Sequence, residues 1–277
     1  MTGTAETGAA VQAPWAEDFT YGYYRRLLER VKAEFAVHPV HEAPGLLDAA
    51  AAGRKLCLLR HDVDVSPGPA LRMGMVEAEA GVRATYYFLT RSPLYDVGGA
   101  DARAVMRELR ALGHEVGLHH DGHGGAAPAE QAAPVPPEEE VAAECARLED
   151  ALGEPVRSLS FHRPMPGWVR GPLWMAGRVN AYAAALMGWY LSDSAGRWRE
   201  GDPLRSLEAP RGPVLQLLTH PVWWGERHRT AAEVLEEFFR GRSAEMSPDQ
   251  ARELDRALAS QLSVRRSGLR PPYTHGE

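Results

Sequence analysis

The sequence predicts an α/β fold in which a parallel, barrel-like sheet is surrounded by helices, and three observations support this. Apolar runs of strand length alternate with helical segments at intervals of roughly thirty residues, as in parallel βαβ units with right-handed crossovers. Polar residues follow the apolar runs at their carboxyl ends. The length of 277 residues suits one undivided α/β barrel-like body. One large core is therefore expected.

The first half of the chain shows this alternation clearly. An apolar stripe between Tyr23 and Phe35 predicts an amphipathic first helix. Apolar runs at 55–60, 84–89 and 115–118 predict buried strands, since parallel strands are covered on both faces. Helical periodicity at 70–80 and 101–112 fills the intervals, and each helix ends at a glycine, Gly81 or Gly113.

The second half continues the pattern with longer interruptions. Strands are predicted at 156–161, 189–191 and 214–218, and helices at 138–152 and from residue 230 onward. Residues 121–137 are mostly glycine, alanine and proline, which predicts a mobile loop. Residues 165–182 carry tryptophans among glycines and prolines, which is typical of an ordered apolar loop that walls a pocket or packs on the barrel.

Composition and termini limit the function classes. The net charge of -6 and the pI near 6.0, without a clustered Lys/Arg stripe, argue against a nucleic-acid partner. No secretory signal and no run of membrane-span length is visible, so we expect a cytoplasmic protein with a small-molecule substrate. Cys57 and Cys145 have no metal or redox spacing and are expected to be buried thiols. The predicted organisation is a disordered leader at 1–14, one domain at 15–264 and a loose tail at 265–277.

Polar residues of catalytic and metal-binding type follow five of the apolar runs. His119 and His123 are four residues apart, a spacing that brings two imidazoles to one cation if the chain turns helically there. Carboxyl ends of parallel strands meet at one end of a barrel, where catalytic groups are expected. The residues at the five ends are His61, Asp62 and Asp64; His119, His120 and His123; His162 and Arg163; Asp193; and His220.

The motifs at these strand ends resemble those of one known family. The segment 113–123, GHEVGLHHDGH, resembles the H-[ST]-x-x-H motif of polysaccharide deacetylases, the NodB-homology or carbohydrate esterase family 4 fold. RHDVD at 60–64 is similar to the family's first motif in an H-D-V-D form, FHRP at 161–164 to its arginine-bearing motif, and 215–220 to its terminal motif. The resemblance spans residues 55–224 and implies a distorted (β/α) barrel of about seven parallel strands with N- and C-terminal helical extensions.

The resemblance also implies roles for individual residues. Asp64, His119 and His123 are expected to bind one divalent cation, with Asp62 as the base and His220 as the acid. Because Val63 separates the two acids, the reverse assignment of Asp62 and Asp64 stays open. The remaining expected site residues are Arg163, which would keep Asp62 ionised; Asp193, which would tune the catalytic histidine; and the substrate-binding residues His162, Trp168, Trp174, Trp198 and Trp223.

The activity that the resemblance implies is metal-dependent hydrolysis of a C–N amide bond, and we expect it to be de-N-acetylation of an intracellular N-acetylated sugar or small biosynthetic intermediate. Zinc is the first choice of cation, although two histidines and one aspartate also accept cobalt, nickel, iron or manganese. Two alternatives stay open. One is hydrolysis of a cyclic amide or imide, as in allantoinase- and imidase-like relatives, and the other is a catalytically silent protein that binds a metal or another ligand.

Overall fold

The computed structural model describes residues 18–122 and 134–242, together with Arg252. Its strands are β1 (Ala36–His38), β2 (Leu56–Val63), β3 (Thr85–Leu89), β4 (Glu115–His120), β5 (Ser158–Phe161), β6 (Trp174–Met175), β7 (Arg178–Asn180), β8 (Trp189–Ser192) and β9 (Val214–Thr219). Its α-helices are α1 (Tyr21–Glu34), α2 (Leu47–Ala51), α3 (Gly68–Glu79), α4 (Ala100–Ala111), α5 (Glu138–Leu152), α6 (Pro203–Ser206) and α7 (Ala231–Arg242).

The nine strands of the described residues form one curled, mostly parallel sheet. The order is β6-β7-β5-β4-β3-β2-β9-β8, and β1 pairs with the start of β2. Every pairing is parallel except that of β6 with β7. The sheet is a half-barrel with flanking helices, which confirms the predicted fold class. Parallel pairing brings the carboxyl ends of β2, β4, β5, β8 and β9 to the same end of the sheet.

The two faces of β2 have different roles because successive side chains of a strand point to opposite faces. Cys57, Leu59 and Val63 belong to the large apolar core that the helices cover on the outer face. Leu56 and Leu58 belong to a smaller core on the concave face. Arg60 and Asp62 continue this concave face by the same alternation, so β2 delivers charged groups to the inside of the half-barrel.

Three predicted elements differ from the structure. β2 runs on to Val63 and β4 to His120, so polar residues predicted to follow these strands are part of them. The segment 165–182 was predicted to be a loop, and this is wrong because it contains β6 and β7, with β7 paired to β5. Strands of two or three residues are too short to show periodicity, which also explains why β1 was not predicted. The leader 1–14, the tail 265–277 and residues 123–133 of the predicted loop lie outside the described residues.

A fully buried polar network joins the outer face of the sheet to α1 and α3. Both oxygens of Glu77 on α3 accept hydrogen bonds, from the hydroxyls of Tyr24 and Tyr86. The ring of His61 lies 2.6 Å from Glu77 through Nε2 and 2.7 Å from the Thr219 hydroxyl through Nδ1. His61 therefore faces the helices and points away from the concave side. Its ring is held in place by Glu77 and Thr219.

The ring of His114 is held as a neutral imidazole in the same layer. Its Nε2 donates to the Gly74 carbonyl at 2.9 Å, and its Nδ1 accepts from the Ala84 N–H at 3.2 Å. Burial lowers the pKa of His114 from 6.5 in spite of the nearby charge of Glu77. Gly74 is required at this point because a Cβ there would lie 2.5 Å from the Leu109 side chain and 3.3 Å from the His114 ring.

We expect the free energy of unfolding to depend on His114 below neutral pH. Because the folded pKa is lowered, unfolding takes up a proton, so this contribution is present above about pH 6.5 and is lost as the pH falls toward the folded pKa. The His114→Gln variant should be less stable by about 1–3 kcal/mol at pH 7 and should lose less stability between pH 7 and pH 5 than the wild type. Urea denaturation across this pH range measures both effects, and an unchanged pH dependence would contradict the assignment.

None of the helices formed by the described residues is both long and apolar enough to cross a bilayer.

Candidate active site

Three imidazoles surround the carboxylate of Asp64 just beyond the end of β2. His119 approaches Asp64 Oδ1 through Nε2 at 3.2 Å. His162 and His220 approach Asp64 Oδ2 through their Nε2 atoms at 3.9 and 3.7 Å. Burial raises the pKa of Asp64, but the positive charge of these histidines and the hydrogen bond from His119 outweigh burial and hold the pKa well below its usual range. Asp64 is therefore held as an anion at the centre of the cluster.

The backbone that carries Asp64 is fixed by Tyr95. The Tyr95 hydroxyl donates to the carbonyl of Val63 and accepts from the N–H of Leu89, each at 2.8 Å. This side chain therefore ties the last residue of β2 to the last residue of β3. Asp64 follows Val63 directly, so its carboxylate projects from an anchored strand end and not from a free loop.

Asp62 is buried beside the cluster and is paired with Arg60. Arg60 Nη2 donates to both oxygens of Asp62, at 2.8 and 2.7 Å. The Asp62 Oδ2 atom also lies 3.6 Å from His119 Nε2, which places Asp62 next to the histidine cluster. Asp62 and Asp64 thus have different surroundings: Asp62 is paired with a guanidinium, and Asp64 is surrounded by imidazoles.

Arg60 lies fully buried at the centre of the half-barrel. Besides Asp62, it donates to the side-chain oxygens of Ser160 and Gln216. Its guanidinium also lies over the rings of Tyr87 and Tyr182, at 5.1 and 4.9 Å from their centroids. Burial lowers the pKa of Arg60, but the negative charge of Asp62 raises it overall. The site therefore contains a permanent buried cation directly beneath Asp62.

The expected pairing of Arg163 with Asp62 is corrected by these contacts. Arg163 is exposed and has a left-handed backbone conformation with φ of 52°. Arg60 forms the ion pair instead. Arg60 could have been recognised from the sequence, because residues two apart on a strand share a face and Arg60 precedes Asp62 by two.

Replacing Arg60 with methionine is expected to destabilise the fold by about 3–5 kcal/mol, because Asp62 would be left as an uncompensated buried charge. The double variant Arg60→Met/Asp62→Leu removes both charges and should recover much of that loss. Urea denaturation of the wild type, both single variants and the double variant gives the coupling energy between the two positions. Additive losses would show that the ion pair does not couple them.

His220 is held by Asp193 through a hydrogen-bonded pair. Its Nδ1 donates to Asp193 Oδ1 at 2.7 Å, and its backbone N–H lies 2.9 and 3.1 Å from the two oxygens of Asp193. Asp193 is fully buried and accepts a further hydrogen bond from Trp224 Nε1 at 2.9 Å. The parallel pairing of Ser192 with Leu218 explains why the residues after β8 and β9 meet. The Nδ1–H of His220 is thereby fixed, and Nε2 points toward Asp64.

The carboxylates around His220 keep its ring protonated. Burial lowers the pKa of His220, whereas the hydrogen bond to Asp193 and the charges of Asp193, Asp64 and Asp62 raise it, giving a pKa of about 9. Sequence reasoning identified Asp193 and His220 but did not assign Trp224 a role. The sequence places Trp224 four residues after His220, and this proximity is what could have indicated a role for Trp224 in the site.

His119 and His120 of the segment 113–123 point to opposite faces of β4. His119 lies in extended strand and faces the concave side, so the chain does not turn helically at this residue. His120 faces the helices, where its Nδ1 lies 2.9 Å from the buried carboxylate of Glu144 on α5. Arg91 contacts the other oxygen of Glu144 at 2.9 Å. His123 lies outside the described residues, and its predicted role as a ligand stays a prediction.

The donor groups around Asp64 fit a divalent cation in their chemistry. One carboxylate and several imidazoles form the donor set that zinc and similar ions prefer. His119 Nδ1 and His162 Nδ1 are buried without hydrogen-bond partners. Within residues 18–122 and 134–242, however, no three His, Cys, Asp or Glu side chains converge tightly enough to form a complete metal centre. A cation would therefore have to draw its ligands together.

The tryptophans expected to bind substrate occupy different environments. Trp168, Trp198 and Trp223 are only 2–4% exposed and pack as core side chains. Trp168, for example, lies edge-on against Phe161, and it covers Gly122, where a Cβ would come within 2.3 Å of its ring. Trp174 is 52% exposed on the edge strand β6. The three buried rings thus do not form the wall of an open pocket, which corrects that expectation, whereas His162 does lie in the cluster.

No protein-family model and no curated protein sequence matches the chain. Among solved structures, the chain is similar to BA3943 from Bacillus anthracis, described as a CE4 family pseudoenzyme, and to a BA3943 mutant with restored enzymatic activity. Both are 15% identical to the chain with a TM-score of 0.38, and each alignment covers 70% of the chain. The chain spans 62% of the wild-type and 64% of the mutant structure, less than two thirds of either.

The Xyl-CE4 domain of a multidomain xylanase from the hindgut metagenome of Trinervitermes trinervoides is a third similar structure. It is 13% identical with a TM-score of 0.35, and the alignment covers 80% of the chain and 95% of the domain. The chain is thus distantly similar to three structures described as CE4.

Proposed function

We propose that the chain is a metal-dependent hydrolase of C–N amide bonds that removes the acetyl group from an N-acetylated sugar or a small biosynthetic intermediate. The observation that carries this proposal is the grouping of a buried base and a protonated acid around one site. Asp62, paired with Arg60, and His220, paired with Asp193, flank the carboxylate of Asp64. Amide hydrolysis requires these two functions, one to take a proton from water and one to give a proton to the departing nitrogen.

The cation would be held by Asp64 and His119 with a further ligand. When bound, a divalent ion supplies a Lewis acid that lowers the pKa of water and polarises the acyl carbonyl. Asp62 is proposed as the base because Arg60 fixes its orientation and favours its ionised form. Arg60 and Asp62 are almost fully buried, which strengthens the charge interaction between them.

His220 is proposed as the acid. Its imidazole is oriented by Asp193 through Nδ1, which leaves the Nε2 proton to face the site. An amine cannot leave as an anion, so a proton must reach the nitrogen as the C–N bond breaks. The pKa of about 9 keeps His220 protonated at neutral pH. The product pair is then an amine and acetate.

Acetate release from a panel of N-acetylated amines and amino sugars tests the proposal. The protein is stripped with a chelator, reloaded with one divalent ion at a time and assayed for acetate and free amine in equal amounts. We expect equimolar release only in the reloaded samples. A cyclic amide or imide that is opened without release of acetate would instead support a ring-opening hydrolase, and binding of ligands without any turnover would support a catalytically silent protein.

A further inference from the structure

We infer that His162 is the third protein ligand of the cation site, with Asp64 and His119. The inference rests on the proposed function, because it assigns a ligand for the cation that this function requires. His162 Nε2 lies 3.9 Å from Asp64 Oδ2, and His119 Nε2 lies 3.2 Å from Asp64 Oδ1. The rings of His119 and His162 are also neighbours, with centroids 5.2 Å apart.

The sheet itself brings these two rings together. In the pairing of β4 with β5, His119 lies opposite Ser160, and His120 lies opposite Phe161. His162 follows β5 directly and shares the concave face with Ser160 by the two-residue alternation of a strand. His119 and His162 therefore lie on the same face of adjacent strands, which accounts for the contact between their rings.

The outer nitrogen of His162 has the surroundings of a metal ligand. Histidines that bind metals commonly direct their second ring nitrogen toward a carboxylate, which orients the ring and increases its basicity. His162 Nδ1 is buried without a hydrogen-bond partner and lies 3.8 Å from Asp121 Oδ1. The imidazole thus lies between two carboxylates, Asp64 on the Nε2 side and Asp121 on the Nδ1 side.

Binding of a zinc ion would require only a small movement of His162. Two ligand atoms of a tetrahedral zinc ion, each about 2.0–2.1 Å from the metal, are about 3.3 Å apart. The contact of His119 with Asp64 already has this length, at 3.2 Å. The contact of His162, which is made to the other oxygen of Asp64, is 3.9 Å long and thus roughly 0.6 Å longer than this value. Because the His162 side chain is 18% exposed, a small rotation would close the gap without displacing the core.

Zinc titration of the chelator-stripped full chain tests the assignment. Competition with a chromophoric chelator gives the affinity, and elemental analysis gives the stoichiometry. We expect one equivalent in the wild type, a loss of affinity of at least about 100-fold in His162→Gln, and a change below about 3-fold in the matched control His123→Gln. Asp121→Asn should weaken binding by about 10- to 100-fold. His220→Asn, which replaces the proposed acid, should keep its zinc.

Footprinting of the wild type makes the test independent of variant folding. Histidine modification by diethyl pyrocarbonate, mapped by mass spectrometry with and without zinc, should show protection of His162, whose side chain is 18% exposed, and none of His123. Unchanged zinc affinity in a folded His162→Gln variant, or loss of zinc in His123→Gln, would overturn the inference and leave the proposed hydrolysis intact. Stoichiometric zinc binding without turnover of any amide would instead count against the proposed function alone.

Discussion

Asp62→Asn is expected to lower kcat for amide hydrolysis by about 100- to 10,000-fold, the usual contribution of a general base. Asparagine keeps the size of the side chain and one oxygen that Arg60 can contact, but it cannot take up a proton. Zinc binding should stay within a few-fold of the wild type, because Asp62 contacts Arg60 while Asp64 lies among the imidazoles. Steady-state kinetics together with zinc titration measure the two effects separately.

The stability of Asp62→Asn requires its own control because the substitution leaves the buried guanidinium of Arg60 without a carboxylate. Ser160 and Gln216 still accept hydrogen bonds from Arg60, and the rings of Tyr87 and Tyr182 still face it. The variant should therefore remain folded, which a thermal melt verifies at the assay temperature. Near-normal kcat in a folded Asp62→Asn variant would remove Asp62 from the role of base and would favour the reverse assignment of Asp62 and Asp64.

His220→Asn is expected to lower kcat for an N-acetyl amine by a similar factor, about 100- to 10,000-fold, because the departing nitrogen would no longer receive a proton. Asparagine retains a side chain near Asp193 but has no acidic proton. The same variant should hydrolyse an activated aryl acetate at close to the wild-type rate, since an aryl oxide leaves without protonation. Asp62→Asn should lose activity toward both substrates. Comparison of the two variants on the two substrates therefore distinguishes the residue that acts as the acid from the residue that acts as the base.

The pH profile gives a second measurement of the role of His220. Because the hydrogen bond to Asp193 raises its pKa, the acid form is present at neutral pH, and kcat for the amide should fall at alkaline pH. Asp193→Asn removes the hydrogen-bonded carboxylate and should move this alkaline limb to lower pH. Equal losses toward the amide and the aryl acetate, or an alkaline limb that stays in place in Asp193→Asn, would exclude His220 as the acid.

The position of Arg60 shows that strand alternation, and not the motif resemblance, gives the partner of Asp62. The resemblance of residues 161–164 to an arginine-bearing motif suggested Arg163 as the partner of Asp62. Arg163 is exposed, whereas Arg60 reaches Asp62 along the same face of β2. The alternation of side chains along β2 predicts the pairing of Arg60 with Asp62, whereas the motif at 161–164 predicts Arg163.

The sequence by itself determined the class of fold, because strand-length apolar runs and amphipathic helices are local patterns. It also determined which polar residues reach the carboxyl end of the parallel strands, since each follows a recognisable apolar run. Only the tertiary structure decided which residues from distant segments are partners, namely Trp224 with Asp193 and His162 with Asp64. Such partnerships depend on strand order, register and side-chain direction. These are properties of pairing between distant segments, and no single segment encodes them.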